Sequence, residues 1–184
     1  MVRNVLIMGP PGSGKGTQAA RIAERRGIAH ISTGDMLRAA MVAGSELGER
    51  VREVVDRGDL VPDELMLELV LDRLGKPDAA TGFLLDGFPR TITQAEALCA
   101  ALEGERVLER VILLVVPEEF LVERALGRGR ADDTEETIRY RLRVYRESTR
   151  PVLDALEGEV ERVDIDGVGE IEEITARIEA ALGA

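Results

Sequence analysis

The stretch GPPGSGKGT, Gly9 to Thr17, sets glycines at 9, 12, 14 and 16 around a lysine at 15. Glycines so placed let successive backbone N–H groups turn inward where side chains would otherwise stand, and the resulting concavity suits phosphate oxygens. A helix beginning near Lys15 adds the positive end of its dipole at the same spot. Lysine then reaches toward the terminal phosphates as a compact charge, which fits a tetrahedral oxyanion better than the planar fork of arginine. The chain's own habits make the choice conspicuous, because Lys15 and Lys76 are the only lysines among its 24 basic residues. The chemistry indicated is phosphate binding of the kind nucleotide enzymes use.

Gly16 stands where loops of this kind carry Ser or Thr, so no hydroxyl follows the lysine to ligate magnesium. Thr17 lies about 100° further around the helix. The loop is therefore expected to give no direct metal ligand, and magnesium to be held by phosphates and water. Asp86 closes the apolar run GFLLD, the usual place for the carboxylate that orders magnesium-bound water in phosphate-loop enzymes.

These groups need a scaffold. RNVLIMG reads as a short strand, and KGTQAARIAERRG as a helix whose Ala19, Ile22 and Ala23 repeat at helical spacing before Gly27 ends it. HIS, GFLLD, RVILLVV and VERVDI are further short apolar runs separated by helical patterns. Five strands alternating with helices predict a parallel, doubly wound α/β sheet. Helix starts are marked by Pro62 with Asp63 and Glu64, by Pro117 with Glu118 and Glu119, and by Asp133 followed three residues later by Glu136. The helical passage from Thr33 to Leu74, broken at Gly44 and at Gly58–Asp59, is longer than one crossover needs, which predicts a small helical excursion at roughly residues 32–61.

Composition narrows the class. A chain of 184 residues suits one domain that buries roughly 70% of its unfolded surface. The formal net charge of −11 argues against general affinity for nucleic acid or anionic membranes. The single Cys99 excludes an internal disulfide and any multi-cysteine zinc cluster, and fits a helix position in a reducing cytosol. The apolar run Val5–Met8 is too short for a signal-peptide core, so a cytoplasmic location is expected. The lone His30 is expected to pack or hydrogen-bond near the sheet without a chemical role.

Taken with GPPGSGKGT and GFLLDGFPR, the motifs STGDMLR (Ser32 to Arg38), DLVPDE (Asp59 to Glu64) and GRGRADD (Gly127 to Asp133) give a chain that resembles the adenylate kinases from end to end. The resemblance implies the P-loop NTPase fold: a five-stranded parallel sheet flanked by helices, with a small helical AMP-binding excursion and a short lid loop. It divides the chain into a core at 1–31, 62–126 and 134–184, an NMP-binding segment at 32–61 and a lid at 127–133. Longer members of the family insert a β-rich lid, sometimes with zinc; the short GRGRADD removes any expectation of structural zinc.

The resemblance also implies roles. Gly12, Ser13, Gly14, Lys15, Gly16 and Thr17 would hold the ATP phosphates, with Lys15 on the phosphoryl group in transit. Arg124 and Arg128 would face ATP, and the backbone of Gly169 would lie near the adenine ring. Thr33, Arg38, Asp59, Leu60, Val61, Gly87, Phe88, Pro89, Arg90 and Gln94 would form the AMP site. Arg130 and Arg141 would reach the AMP phosphate and the transferred group, so Lys15, Arg90, Arg128, Arg130 and Arg141 are the expected catalytic residues. The implied reaction is reversible, magnesium-dependent transfer from ATP to AMP giving two ADP, in line and without a covalent enzyme intermediate, by a monomer.

Plainer readings stand beside these. Thr33 and Asp35 could cap the helix that follows them, and Asp132 and Asp133 could do so for theirs. Gln94 taken alone reads as an exposed helical residue. Uridylate/cytidylate kinases are the close alternative; they usually carry alanine at the position of Thr33 and asparagine at that of Gln94, which favours AMP here. A phosphate-loop switch is the more distant one, but no Asn-Lys-x-Asp guanine-reading motif is present. No general base is required for AMP, because a phosphate monoester with a second pKa of about 6 arrives largely as the dianion; Asp35 would be the candidate were the acceptor an alcohol.

Overall fold

A computed structural model of the chain describes residues 2–102, 104, 107–130 and 133–183. Five parallel strands form one sheet: β1 (Asn4–Met8), β2 (Ala29–Ser32), β3 (Phe83–Asp86), β4 (Arg110–Val115) and β5 (Glu161–Asp166), in the order β2-β3-β1-β4-β5. All five expected strands are present. The central strand β1 is buried at every position, as a strand covered on both faces must be. Its side chains alternate: Leu6 and Met8 join one core with Leu85, Val111 and Leu98, while Val5 and Ile7 join another with Ile22, Leu84, Ile112 and Ile178.

The second core is covered by α1 (Lys15–Arg26) and α9 (Ile171–Leu182). The first is covered by α4 (Asp63–Leu74), α5 (Ile92–Ala101) and α8 (Val152–Ala155). Between β2 and α4, the expected excursion consists of α2 (Thr33–Val42) and α3 (Glu46–Arg57), which pack on each other. A third cluster of Val116, Leu121, Ala125, Ile138 and Leu142 joins α6 (Glu118–Gly127) to α7 (Glu135–Val144). No helix among the described residues is long and apolar enough to cross a membrane.

The helix starts need small corrections. Pro62 and Pro117 are the residues before the first helical position. Asp133 does not cap α7: Thr134 does, its hydroxyl accepting from Thr137 N at 3.1 Å. Asp132 lies outside the described residues. Ser32, which closes β2, caps α2 by accepting from Asp35 N, so neither Thr33 nor Asp35 is the cap.

β1 lies between β3 and β4: the chain runs from β1 to β2 on one side and later crosses from β3 past β1 to β4 on the other, and the crevice at the carboxyl ends of these strands is where a sheet of this type takes ligands. The glycine loop, Asp86 and the start of α6 all gather at that end.

Candidate active site

The loop between β1 and α1 is held in a shape that glycine alone permits. Gly12 has φ +85°, and a Cβ there would stand 2.2 Å from the carbonyl oxygen of Leu121 in α6. Gly14, with φ +87°, is the residue before α1 and turns the chain into the helix. Among the described residues, α1 is the one helix of eight or more residues with neither a side-chain cap nor an acidic residue in its first turn. Its first N–H donors and its positive dipole end are thus left for an anion. Ser13 Oγ is buried and without a hydrogen-bond partner among the described residues. Replacing Gly12 with alanine is expected to shift the loop off Leu121, weakening ATP at least tenfold and lowering thermal stability; the checks are ATP titration and a melting curve.

Lys15 keeps some contact with solvent, but desolvation draws its ammonium down to about 8, opposed by Asp86 and reinforced by Arg90, Arg128 and Arg130. An ammonium made this uncomfortable gains most from an added anion. Asp86 sits opposite Ile7 at the end of β3 and is 6% exposed. Burial pushes its carboxyl up, but the His30 imidazole and the charge of Lys15 outweigh this and hold it ionised below the usual range. His30 Nε2 stands 3.7 Å from Asp86 Oδ2, an electrostatic neighbour too distant for a hydrogen bond.

A cavity opens between the glycine loop, α2, the end of α3, the segment after β3, and α7. Lys15, Arg38, Arg90, Arg128, Arg130 and Arg141 all line it, together with Thr33, Asp59, Leu60, Val61, Gly87, Phe88, Pro89 and Gln94. Six cations thus face one space in a chain of net charge −11. Arg90 is made less basic by desolvation and by Arg141, Arg38 and Arg130, against the pull of Asp86; Arg130 is made less basic by desolvation, Arg128 and Arg38. Arginine stays charged under such pressure, and the six cations together outnumber the carboxylates Asp35, Asp86 and Asp133 that act on them, which leaves a positive field suited to a polyanion.

Several of these groups are tethered. Arg128 donates to both oxygens of Asp133 at 2.5 and 3.0 Å, and Arg141 Nη1 donates to the same carboxylate at 3.0 Å. Arg141 Nη2 reaches Val55 O at 3.1 Å, and Tyr140 Oη donates to Asp59 Oδ1 at 2.5 Å, so α7 touches the end of α3 at two points. Arg38 donates to Asp35, whose carboxyl burial pushes up but the Arg38 and Ser32 hydrogen bonds hold down. Arg90 Nε is bonded to Gly87 O at 2.7 Å. Thr33 is fully buried and donates to Gly87 O at 2.9 Å, which ties α2 to the end of β3. Gln94 is 2% exposed, contrary to its reading as a surface residue, because α5 turns it toward α4.

Arg124 and Gly169 do not line this cavity. Arg124 stacks over Phe120 and donates to Gly167 O at 2.9 Å, while Gly169 directly precedes Glu170, the residue before α9. A Cβ at Gly167 would stand 3.7 Å from Ser13 O, so the residue that Arg124 holds lies beside the glycine loop. Among the described residues, no three His, Cys, Asp or Glu side chains gather as they would around a metal ion.

The family model for adenylate kinase matches residues 7–160, most of the chain and all of the cavity. Proteins named adenylate kinase from Stenotrophomonas maltophilia and Nocardia farcinica are 51% and 50% identical, covering 98% and 97% of this chain and 99% and 98% of their own lengths. One from Mycobacteroides abscessus is 51% identical over 97% of the chain. The chain belongs to the adenylate kinase family. As an adenylate kinase it carries the glycine loop, Asp86 and the arginine cluster within the matched span, while Gly169 and α9 fall beyond it. Asp63, Thr91, Asp133 and Tyr140, which bond to cavity residues, are among the polar groups that sequence reading gave no part in the site; some of their partners lie up to 81 residues away, and only Thr91, three residues before Gln94, and Asp133, five after Arg128, offered a local signal.

Proposed function

We propose that the protein transfers the terminal phosphoryl group of ATP to AMP, reversibly, forming two ADP and so balancing the adenine nucleotides. The observation that carries the reading is the convergence of one lysine and five arginines on a single cavity that begins at the glycine loop and ends at Gln94. Two polyanions must be brought together before any bond changes, and fixed cations oppose their repulsion. Gly12 to Thr17 hold the ATP phosphates from the loop and the start of α1, with Lys15 reaching the group in transit. Arg124, Arg128 and the Gly169 backbone serve ATP. Arg38, Arg90, Arg130 and Arg141 serve the AMP phosphate and the moving group, and Thr33, Asp59 to Val61, Gly87 to Pro89 and Gln94 hold the nucleoside. The acceptor arrives as a dianion, so attack needs no side-chain base.

Magnesium fits the residues present: Asp86 is a buried, ionised carboxylate beside Lys15, and its Oδ2 would stand only 3.3 Å from a Cβ at Gly16. Asp86 would hold the ion through water, the nucleotide supplying the remaining ligands, and the ion would neutralise charge on the phosphates. The excursion at 32–61 and the lid at 127–133 close over the substrates and exclude water as acceptor. The protein works as a monomer in the cytoplasm, where these nucleotides circulate.

The direct test is binding of two adenosines joined by five phosphates. Submicromolar binding that protects both the glycine loop and the 32–61 segment from hydrogen exchange is expected; binding that protects only the loop would overturn the two-site reading. A further expectation concerns protons. Lys15 titrates near 8 in the free protein, and added phosphate charge restores its pKa toward 10.5. The bound state then holds more protons than the free state between those values, so affinity falls as pH rises through that window. Calorimetry in buffers of different ionisation enthalpy should find about 0.9 proton taken up per ATP at pH 9 and about 0.1 at pH 7, with the difference lost in Lys15→Met.

A further inference from the structure

We infer that Asp63 sets which purine the acceptor site reads, acting as a positioning residue that locks the side-chain amide of Gln94 in one orientation. The inference rests on AMP being the phosphoryl acceptor.

Gln94 is buried and lines the cavity, so its amide must be satisfied by protein or ligand. Its Oε1 accepts from Arg90 N at 2.7 Å, and its Nε2 donates to Asp63 Oδ1 at 2.8 Å. These partners are of opposite and fixed kind: a backbone N–H only donates, and a carboxylate only accepts. Turning the amide over would set its NH2 against the Arg90 N–H and its carbonyl against the Asp63 carboxylate, losing both bonds.

Asp63 is itself held. Its Oδ2 accepts from Thr91 Oγ1 at 3.0 Å, and that hydroxyl accepts in turn from Gln94 N at 3.1 Å as the cap of α5. Asp63, Thr91 and Gln94 therefore form a closed ring of bonds between the first turns of α4 and α5, in which every proton has one assignment. Two protein bonds leave the Gln94 amide one N–H and one lone pair for a ligand.

A donor beside an acceptor matches the 6-amino group and neighbouring ring nitrogen of adenine. A 6-oxo purine offers the reverse order on its N1 edge, an acceptor at position 6 and a donor at N1, and would be read by the flipped amide. A site built to bond one pattern rejects the other because its buried groups are left unpaired. Asp63 makes the flipped state inaccessible, and through it the base at position 6 is discriminated.

The test compares kcat/KM for AMP and for IMP, at saturating ATP, in the wild type and in Asp63→Asn. Asparagine can present its own N–H to Gln94, so the Asp63 half of the lock is released and only the Arg90 N–H still opposes the flip. The AMP/IMP ratio is expected to narrow about tenfold, through a raised KM for AMP, with KM for ATP unchanged. In a Gln94→Ala background the same substitution should leave the ratio where Gln94→Ala alone puts it, which a merely structural role for Asp63 would not produce. If Asp63→Asn gives no folded protein, Asp63→Ser replaces it with the same expectation, since a hydroxyl donates or accepts and cannot lock the amide. A ratio unmoved in a variant that still turns over AMP, or a shift that persists without Gln94, overturns the role of Asp63. Wild-type protein that phosphorylates neither monophosphate overturns the reading of AMP as acceptor, and this inference with it.

Discussion

Lys15→Met should reduce kcat for ADP formation about a thousandfold, with a much smaller effect on AMP binding. Lys15 is the one cation of the cluster that belongs to the glycine loop, and its ammonium is already depressed to about 8 by desolvation. A charge held out of water interacts strongly with charge that develops in the transition state, and removing one such preorganised group costs a factor of about 10² to 10³ or more. Methionine keeps the length and apolar character of the stem, so packing is little disturbed. Lys15→Arg should recover only a small part of the loss, because the guanidinium is broad and planar where a compact donor is required. Steady-state rates with circular dichroism as a folding control make the check; a variant within tenfold of the wild type would show that the phosphates are neutralised elsewhere.

Arg141 is the second position where one side chain carries a large effect. It lines the cavity, shares Asp133 with Arg128 from the proposed lid, and reaches Val55 O at the end of α3. It therefore binds together the two segments proposed to close, and it is among the cations proposed to meet the moving group. Arg141→Met should lower kcat about a thousandfold, as loss of an arginine on transferring phosphate does in related chemistry. Arg141→Lys should recover less than about tenfold of this, since one ammonium cannot reach Asp133 and Val55 in two fixed directions at once. Full activity in Arg141→Lys would show that only charge matters there. The exchange of carboxylate for phosphate is the physical point: Asp133 and Asp35 hold Arg128, Arg141 and Arg38 in place before the nucleotides arrive.

Much of this architecture can be read from the chain because the signals are local. The strand, loop and helix around Gly9–Thr17 are continuous in sequence, and the short apolar runs between turn residues mark all five strands. Cap assignment fails where neighbours compete. In HISTGD the expected caps are Thr33 and Asp35, but the cap is Ser32, because Thr33 donates to Gly87 O and Asp35 is held by Arg38. Before α7, Thr134 takes the cap because two arginines claim Asp133. Both outcomes depend on partners from other segments, which no local pattern encodes. The burial of Gln94 follows from α5 packing on α4, and its link to Asp63 spans 31 residues. The nearness of His30 to Asp86 is a matter of strand register, since β2 pairs with β3 so that Ser32 faces Asp86.

Phosphate tracing tests the central proposal most directly. With ATP labelled at its γ-phosphate and unlabelled AMP, the label is expected to appear in the β-position of newly formed ADP as fast as ATP disappears, with almost no inorganic phosphate and negligible turnover when AMP is omitted. Label released as inorganic phosphate at a rate independent of AMP would contradict it.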